Sequence, residues 1–191
     1  IIRPVRDSDS LDLFSKDLDV LRRIKTSTPI SFGGGIRSIE HLNLLEGLPI
    51  ERLIFSSSFI ENNISLVGSA SELLGKQAIQ CLLPVKREAD VTHIYRSDRT
   101  KFLGLDEIDL NIIDELANEV VLYDIKNDGL HDSFDVSILD SFSFLRSKLV
   151  ITGGVGKSTI DWARVQGLAS VLIDNKVLHH EYSIRSYKRV S

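Results

Sequence analysis

Two glycine turns and one carboxylate are the parts of this sequence best suited to chemistry. Gly33-Gly34-Gly35 follows the apolar run Pro29–Phe32, and Gly153-Gly154-Val155-Gly156 follows Leu149–Thr152. Glycines between a strand and a helix let backbone N–H groups approach a phosphate. Three in a row cost backbone entropy and imply a geometric reason for their presence. Each turn leads into a helix-like stretch and then a second apolar run, Arg52–Ser56 after the first and Ser170–Asp174 after the second. One βαβ unit is therefore written twice. A ligand carrying two phosphates suits such a repeat, and tight turns without a ligand are the other reading. Asp128, in Asn127-Asp128-Gly129, supplies a carboxylate able to move a proton. An ordinary Asp-Gly turn explains the same residues. Ser56-Ser57, after the run Arg52–Phe55, offers hydroxyls to a phosphate or a cap to a helix.

The elements that must position these groups alternate regularly. Apolar runs at Ile1–Val5, Ile30–Phe32, Arg52–Ser56, Ala78–Val85, Val120–Ile125, Leu149–Thr152 and Val171–Ile173 predict strands. They lack clean alternation, as parallel strands covered on both faces do. Leu11, Phe14, Leu18, Leu21 and Ile24 predict one helix face. Ile108, Ile112 and Leu116 predict another, with Ile113 fitting less strictly. Ser158-Thr159-Ile160-Asp161 opens a further helix with capping residues, and Leu82–Lys86 with Val91–Tyr95 reads as a hairpin. Strand and helix in alternation predict an α/β fold with a parallel sheet. Internal duplication favours a TIM-type (β/α)8 barrel over a doubly wound open sheet.

Composition narrows the function. The chain has 191 residues, is 42% hydrophobic and 26% charged, and carries a net charge of −4. One domain spanning 1–191 is expected. The acidic balance argues against nonspecific nucleic-acid binding. No apolar run approaches the ~18 residues of a membrane helix. The single cysteine, Cys81, forms no internal disulfide and fits a small core side chain, so a cytoplasmic location is expected. Gly153–Ser158 imitates a nucleotide-binding P-loop, but the required first glycine is Ile151, so nucleotide hydrolysis is not expected. His131 and His179-His180 lack metal-ligand spacing, and neither a metal nor a cofactor is expected.

The order and spacing of Pro29–Ser38, Arg52–Asn62, Lys86-Arg87, Asn127-Asp128-Gly129, Thr152–Lys157 and Val177-Leu178-His179 resemble the cyclase subunit of imidazole glycerol phosphate synthase (HisF) and its HisA/HisF barrel superfamily. The resemblance implies a (β/α)8 barrel holding a substrate with a phosphate at each end. Gly34, Gly35, Ser56 and Ser57 would take one phosphate. Gly129, Gly153, Gly154 and the loop at Asn175-Lys176 would take the other. It also implies a HisH-like glutaminase partner docked at the barrel bottom. Ammonia from that partner would pass a charged ring, here Arg52 and Glu119, and react with a ribulosyl aminoimidazole intermediate. Imidazole glycerol phosphate would form as an intermediate of histidine biosynthesis, in a lyase reaction run by a heterodimer.

Departures from the family pattern sharpen the expectation. Asp128 matches one of the family's two catalytic aspartates. The other belongs to a strand that would precede Ile1, so the chain is expected to carry strands two to eight and to lack the first βα unit. It is accordingly expected to be incomplete, or to cover two strand edges with a partner. An acidic position two residues before Lys86-Arg87 is Pro84, which cannot transfer a proton, and Asn175-Lys176 stand where small residues are usual. Two functions therefore remain open. One is the cyclase, with Asp128 as acid and base. The other is a divergent barrel that delivers ammonia to a sugar amidotransferase in surface-polysaccharide biosynthesis.

Overall fold

The computed structural model describes residues 1–5, 9–96 and 100–173. The chain divides into two compact units, Ile1–Cys81 with Asp109–Asn118, and Leu82–Ile108 with Glu119–Ser191.

In the first unit, β1 (Ser31–Gly33) pairs in parallel with β2 (Arg52–Phe55), and β2 pairs in parallel with the start of β3 (Ile79–Glu88). Residues 1–3 join the far side of β1. The Arg3 N–H donates to Gly33 O at 2.8 Å, and the Gly33 N–H donates to Ile1 O at 3.1 Å. The predicted strand Ile1–Val5 is thus a single parallel bridge at Ile2. Phe32, Leu53, Phe55, Ile79 and Cys81 are buried along this sheet. Burial also pushes the Cys81 thiol well above its ordinary pKa, as suits a core side chain.

The helices α1 (Leu11–Asp17) and α2 (Asp19–Arg22) begin at Ser10, whose Oγ accepts from the Leu13 N–H at 3.2 Å. Of the predicted face, Phe14, Leu18 and Leu21 are buried, whereas Leu11 is exposed. Phe14 meets Phe32 of β1 and His41 of α3 (Ile39–Asn43) edge to face. Two further helices, α4 (Ser57–Ile60) and α5 (Ile64–Leu74), bury Phe59, Ile60, Leu66, Val67 and Ala70. The last helix of this unit is α6 (Leu110–Leu116), capped by the Asp109 carboxylate. Its fully buried residue is Ile113, while Ile112 and Leu116 are half-buried. Of the predicted face, Ile108 is buried just before the helix, and within the helix the deepest residue is Ile113, the one that fits the predicted spacing least well.

In the second unit, β6 (Glu119–Asp124), β7 (Leu149–Thr152) and β8 (Ser170–Val171) are parallel neighbours. Val120, Val121 and Leu122 are buried in succession, as are Leu149, Val150 and Ile151. Such unbroken runs mark strands covered on both faces. The C-terminal part of β3 forms an antiparallel ribbon with β4 (Val91–Arg96), as the hairpin reading expects, and β4 continues to β5 (Lys101–Gly104). Lys86-Arg87 lie within this ribbon rather than after the strand. Pro84 falls between Cys81, the last β3 residue paired with β2, and Val85, the first paired with β4. A proline has no N–H for a ladder, so the gap between two pairings is where a strand tolerates one. Between β6 and β7 the chain runs through a 3-10 stretch, Val136–Lys148, which buries Ile138, Leu139, Phe142 and Leu145. After β7 comes α7 (Lys157–Val165), with Ile160 and Ala163 against the core.

Candidate functional site

The two glycine turns sit at equivalent places in their units. In the first, Gly34 has φ +101°, and an added Cβ would run into the backbone carbonyl of Arg3. In the second, Gly153 has φ +89°, and its Cβ would run into the backbone carbonyl of Asp124. The next residue is again a left-handed glycine, Gly35 with φ +79° and Gly154 with φ +74°. Register makes the same point, since Ile2 bridges Gly33 and Tyr123 pairs with Thr152. Arg3 and Asp124 are therefore corresponding residues, each buried and charged beside its glycine turn.

At the first turn, the Arg3 guanidinium donates Nη1–H to Asp9 Oδ2 at 2.7 Å and Nε–H to Asp17 Oδ2 at 2.8 Å. Its Nη2 also meets Asp9 Oδ1. The Arg3 and Asp9 side chains are 3% and 5% exposed, so this is a buried bidentate pair. The guanidinium carbon lies 5.0 Å from the Phe14 ring centroid. Arg3 Nη1 also stands 2.6 Å, and Asp9 Oδ2 3.1 Å, from where a Gly35 Cβ would be, so the ion pair lies directly against the turn. Gly33 pairs with Ile54. Gly35 and Ser56 each lie two residues beyond that pair, at one edge of the sheet. Ser56 begins α4 without a side-chain cap bond, Ser57 is exposed, and Arg52 opens β2 at the opposite end.

At the second turn, the loop after β6 folds over the glycines. Ser133 and Phe134 N–H groups donate to Gly154 O at 2.7 and 3.1 Å. Asn127 O and Ser133 Oγ stand 2.8 and 2.7 Å from a Gly154 Cβ position. The Ser133 Oγ is buried with no hydrogen-bond partner. Asp124 anchors the root of the loop. It accepts from the Lys126 and Asn127 N–H groups at 3.1 and 3.3 Å, from Asn127 Nδ2 at 2.7 Å and from the Asp135 N–H at 3.0 Å. Asp128 is exposed on this loop, and the Tyr123 hydroxyl donates to its Oδ2 at 2.7 Å. Gly129 follows with φ +73°. The structure thus brings Asp128, Gly129, Gly153 and Gly154 together at the C-terminal edge of β6 and β7. Glu119 opens β6 at the other edge. Asn175 and Lys176, with His179 and His180, lie outside the described residues.

One sequence expectation is corrected here. Ser158 and Thr159 do not cap α7, whose first residue is Lys157 and whose N-cap is Gly156. The cap is the Asp132 carboxylate, from the loop after β6. Oδ2 accepts from the Ser158 N–H at 3.1 Å and from the Ser158 hydroxyl, and Oδ1 accepts from the Thr159 N–H at 3.0 Å and Oγ1–H at 2.7 Å. Gly156 makes room for it, since a Cβ there would stand 2.6 Å from Asp132 Cγ. Partial burial opposes ionisation of this carboxyl, yet the Ser158 and Thr159 hydrogen bonds hold its pKa down to about 2. An unfolded aspartate titrates near ~3.9. The stabilisation is therefore complete above that value and fades as pH falls through the folded value of about 2. Urea titrations should show Asp132→Asn less stable than the parent by about 1 kcal/mol at pH 7. The gap should close between about pH 4 and pH 2; a gap unchanged at pH 2 would remove the ionised cap from the account.

Arg3, Asp9, Tyr123, Asp132 and Ser133 were not singled out by sequence pattern. Their side-chain and loop partners are 5 to 27 residues away, at no helical or strand spacing. The only signal for Asp132 is a third glycine, Gly156, that the βαβ turn does not itself need. Among the described residues no three His, Cys, Asp or Glu side chains cluster in a way that could hold a metal, and no helix is long and apolar enough to cross a membrane.

The model of the histidine biosynthesis protein family matches residues 11–183. This chain belongs to that family, whose fold is the α/β barrel type that the strand–helix alternation predicts. Within the family it is similar to HisF proteins. It is 28% identical over 134 residues to imidazole glycerol phosphate synthase subunit HisF of Sulfurisphaera tokodaii, covering 69% of this chain and 53% of that protein. HisF of Streptococcus sanguinis is 27% identical over 147 residues, 74% of this chain and 58% of its own length. HisF of Leptospira biflexa is 27% identical over 172 residues, 86% of this chain and 67% of its own length. The chain spans about half the length of most of the curated relatives it matches.

Proposed function

We propose that the full-length protein is a HisF-like cyclase subunit, which uses ammonia from a glutaminase partner to form imidazole glycerol phosphate. The observation that carries this reading is Asp128, exposed at the C-terminal edge of β6 beside the Gly153-Gly154 turn. Tyr123 donates to Oδ2, which orients the carboxylate and leaves Oδ1 to face a substrate. Asp128 then takes a proton as ammonia nitrogen adds to a carbonyl carbon and returns it when water leaves. The Gly34-Gly35 and Gly153-Gly154 turns, with Ser56, Ser57 and Gly129, hold the phosphates through backbone N–H groups and hydroxyls. Arg52 and Glu119, at the first positions of β2 and β6, belong to the end where ammonia arrives. The compartment is the cytoplasm, and no resident cofactor is required.

A second reading draws on two observations. Pro84 occupies an acidic position of the family pattern, and both glycine turns are lined by the chain's own polar groups. These favour a barrel that docks a glutaminase and passes ammonia to a separate sugar amidotransferase. The experiment is a turnover assay with the full-length protein, the ribulosyl intermediate and an ammonium salt. Product should form, and Asp128→Asn should lower kcat by about 10²–10⁴-fold. Absence of product above background in the parent sinks the cyclase. Stimulation of a co-expressed glutaminase in that case supports the delivery subunit.

A further inference from the structure

The loop from Asp124 to Asp135 carries Asp128 and Gly129, and it is fastened at both ends by carboxylates. Asp124 is 1% exposed and gathers the N–H groups of residues 126, 127 and 135 at the root. Four residues beyond Asp128, Asp132 reaches out of the loop and takes both polar groups of Ser158 and of Thr159. Its backbone is left-handed, with φ +51°, a strained conformation for a residue other than glycine. Such strain persists only where its surroundings enforce it. Gly156 is the complementary feature, because a side chain there would push Asp132 away from α7. These features serve the joint between loop and helix, and a helix needing only a local cap could take one from a residue at its own N-cap.

We infer that Asp132 is a positioning residue that latches the β6 loop to the N-terminus of α7 and so holds the Asp128 carboxylate against the Tyr123 hydroxyl. The inference rests on the reading of Asp128 as acid and base for its catalytic meaning, but not for its geometry. Asp124 holds both ends of the loop, and the closed latch adds a fixed point inside it, so that the short span from Asp128 to Asp132 limits how far Asp128 can move. With the latch open, the loop keeps its bonds to Asp124 and the Ser133 and Phe134 N–H bonds to Gly154 O, but the stretch between Asp128 and Ser133 loses the Asp132 side-chain tie to α7. Asp128 then spends less time on Tyr123, and proton transfer loses its alignment.

The test uses a readout that needs no turnover. The Asp128 carboxyl carbon is followed by NMR in the full-length protein, assigned by its loss in Asp128→Asn. Tyr123→Phe defines the shift that accompanies loss of the hydroxyl contact. Asp132→Ala should move the Asp128 signal in the same direction. Amide exchange over residues 125–134 should quicken by about tenfold or more, while α5 amides stay unchanged. Asp132→Asn, which keeps one acceptor oxygen, should recover part of the shift. If Asp132→Ala folds poorly, Ser158→Ala with Thr159→Val opens the latch from the other side and should give the same displacement. An Asp128 signal left in place by either variant overturns the inference, even if α7 is destabilised, because a simple cap would do only that. In the turnover assay Asp132→Ala should lower kcat by about tenfold with KM within about threefold. If the parent itself makes no product, the cyclase reading fails while the NMR shift still decides the latch.

Discussion

Replacing Arg3 by methionine is expected to destabilise the protein by about 3–5 kcal/mol, because it takes the guanidinium and its two hydrogen bonds away from the buried Asp9 carboxylate. Two of the donors on Asp9 would vanish together, and water cannot readily replace them beside a side chain that is 5% exposed. Asp17, at 32% exposure, can turn to solvent and adds less to the loss. Asp9→Leu alone should be comparably harmful, since it strands the guanidinium instead. The double variant is the decisive comparison. Two apolar side chains of similar volume remove both charges, so the pair should cost much less than the sum of the single changes. Urea denaturation of all four proteins measures this. Strictly additive effects would show that the ion pair is not an energetic unit.

Gly153→Ala should be the most damaging change at any glycine of the second unit. A left-handed conformation costs a non-glycine residue about 1–3 kcal/mol. The new Cβ also collides with the Asp124 carbonyl, and forced overpacking adds about 1–3 kcal/mol more. The collision is with backbone, which cannot rotate aside as a side chain would. Gly167 provides the matched control. It has φ +71° and nothing within 4 Å of its Cβ position, so Gly167→Ala suffers the backbone strain alone. In the first unit, Gly34→Ala and Gly47→Ala form the same contrast, with φ +101° against a crowded site and φ +74° in open space. Equal destabilisation within either pair would mean that close backbone approach is not why these turns contain glycine.

Much of this architecture is legible in the sequence, because parallel strands buried on both faces write themselves as runs of Val, Ile and Leu. β6 and β7 emerge within a residue of the predicted runs for that reason. The strand β5 escapes notice because Lys101-Phe102-Leu103-Gly104 buries only Leu103, and its pairing partner is known only once β4 is placed. The helix α6 misleads in a different way. Its predicted stripe follows spacing, but the core selects Ile113 because a short helix can roll to present its best-packing side chain. At the candidate site, the glycine turns are legible because backbone geometry restricts what can occupy them. The groups that fasten the loops are not. Asp132 and Ser158 are 26 positions apart, and Arg3 and Asp17 are 14, so only the folded chain brings them together.

The matched glycine turns also set a limit on how the two halves can be recombined. Gly34 and Gly153 make the same contact, but the residues they touch carry opposite charge, Arg3 in one copy and Asp124 in the other. The Arg3 position is surrounded by acceptors, Asp9 and Asp17, whereas the Asp124 position is surrounded by donors, mostly backbone N–H groups. A chimera that transplanted the second copy's strand into the first would set three carboxylates side by side. The reciprocal graft would point a guanidinium at N–H groups. The repeat has kept its backbone geometry while its halves have become polar opposites at their centres, so neither can serve as a spare for the other.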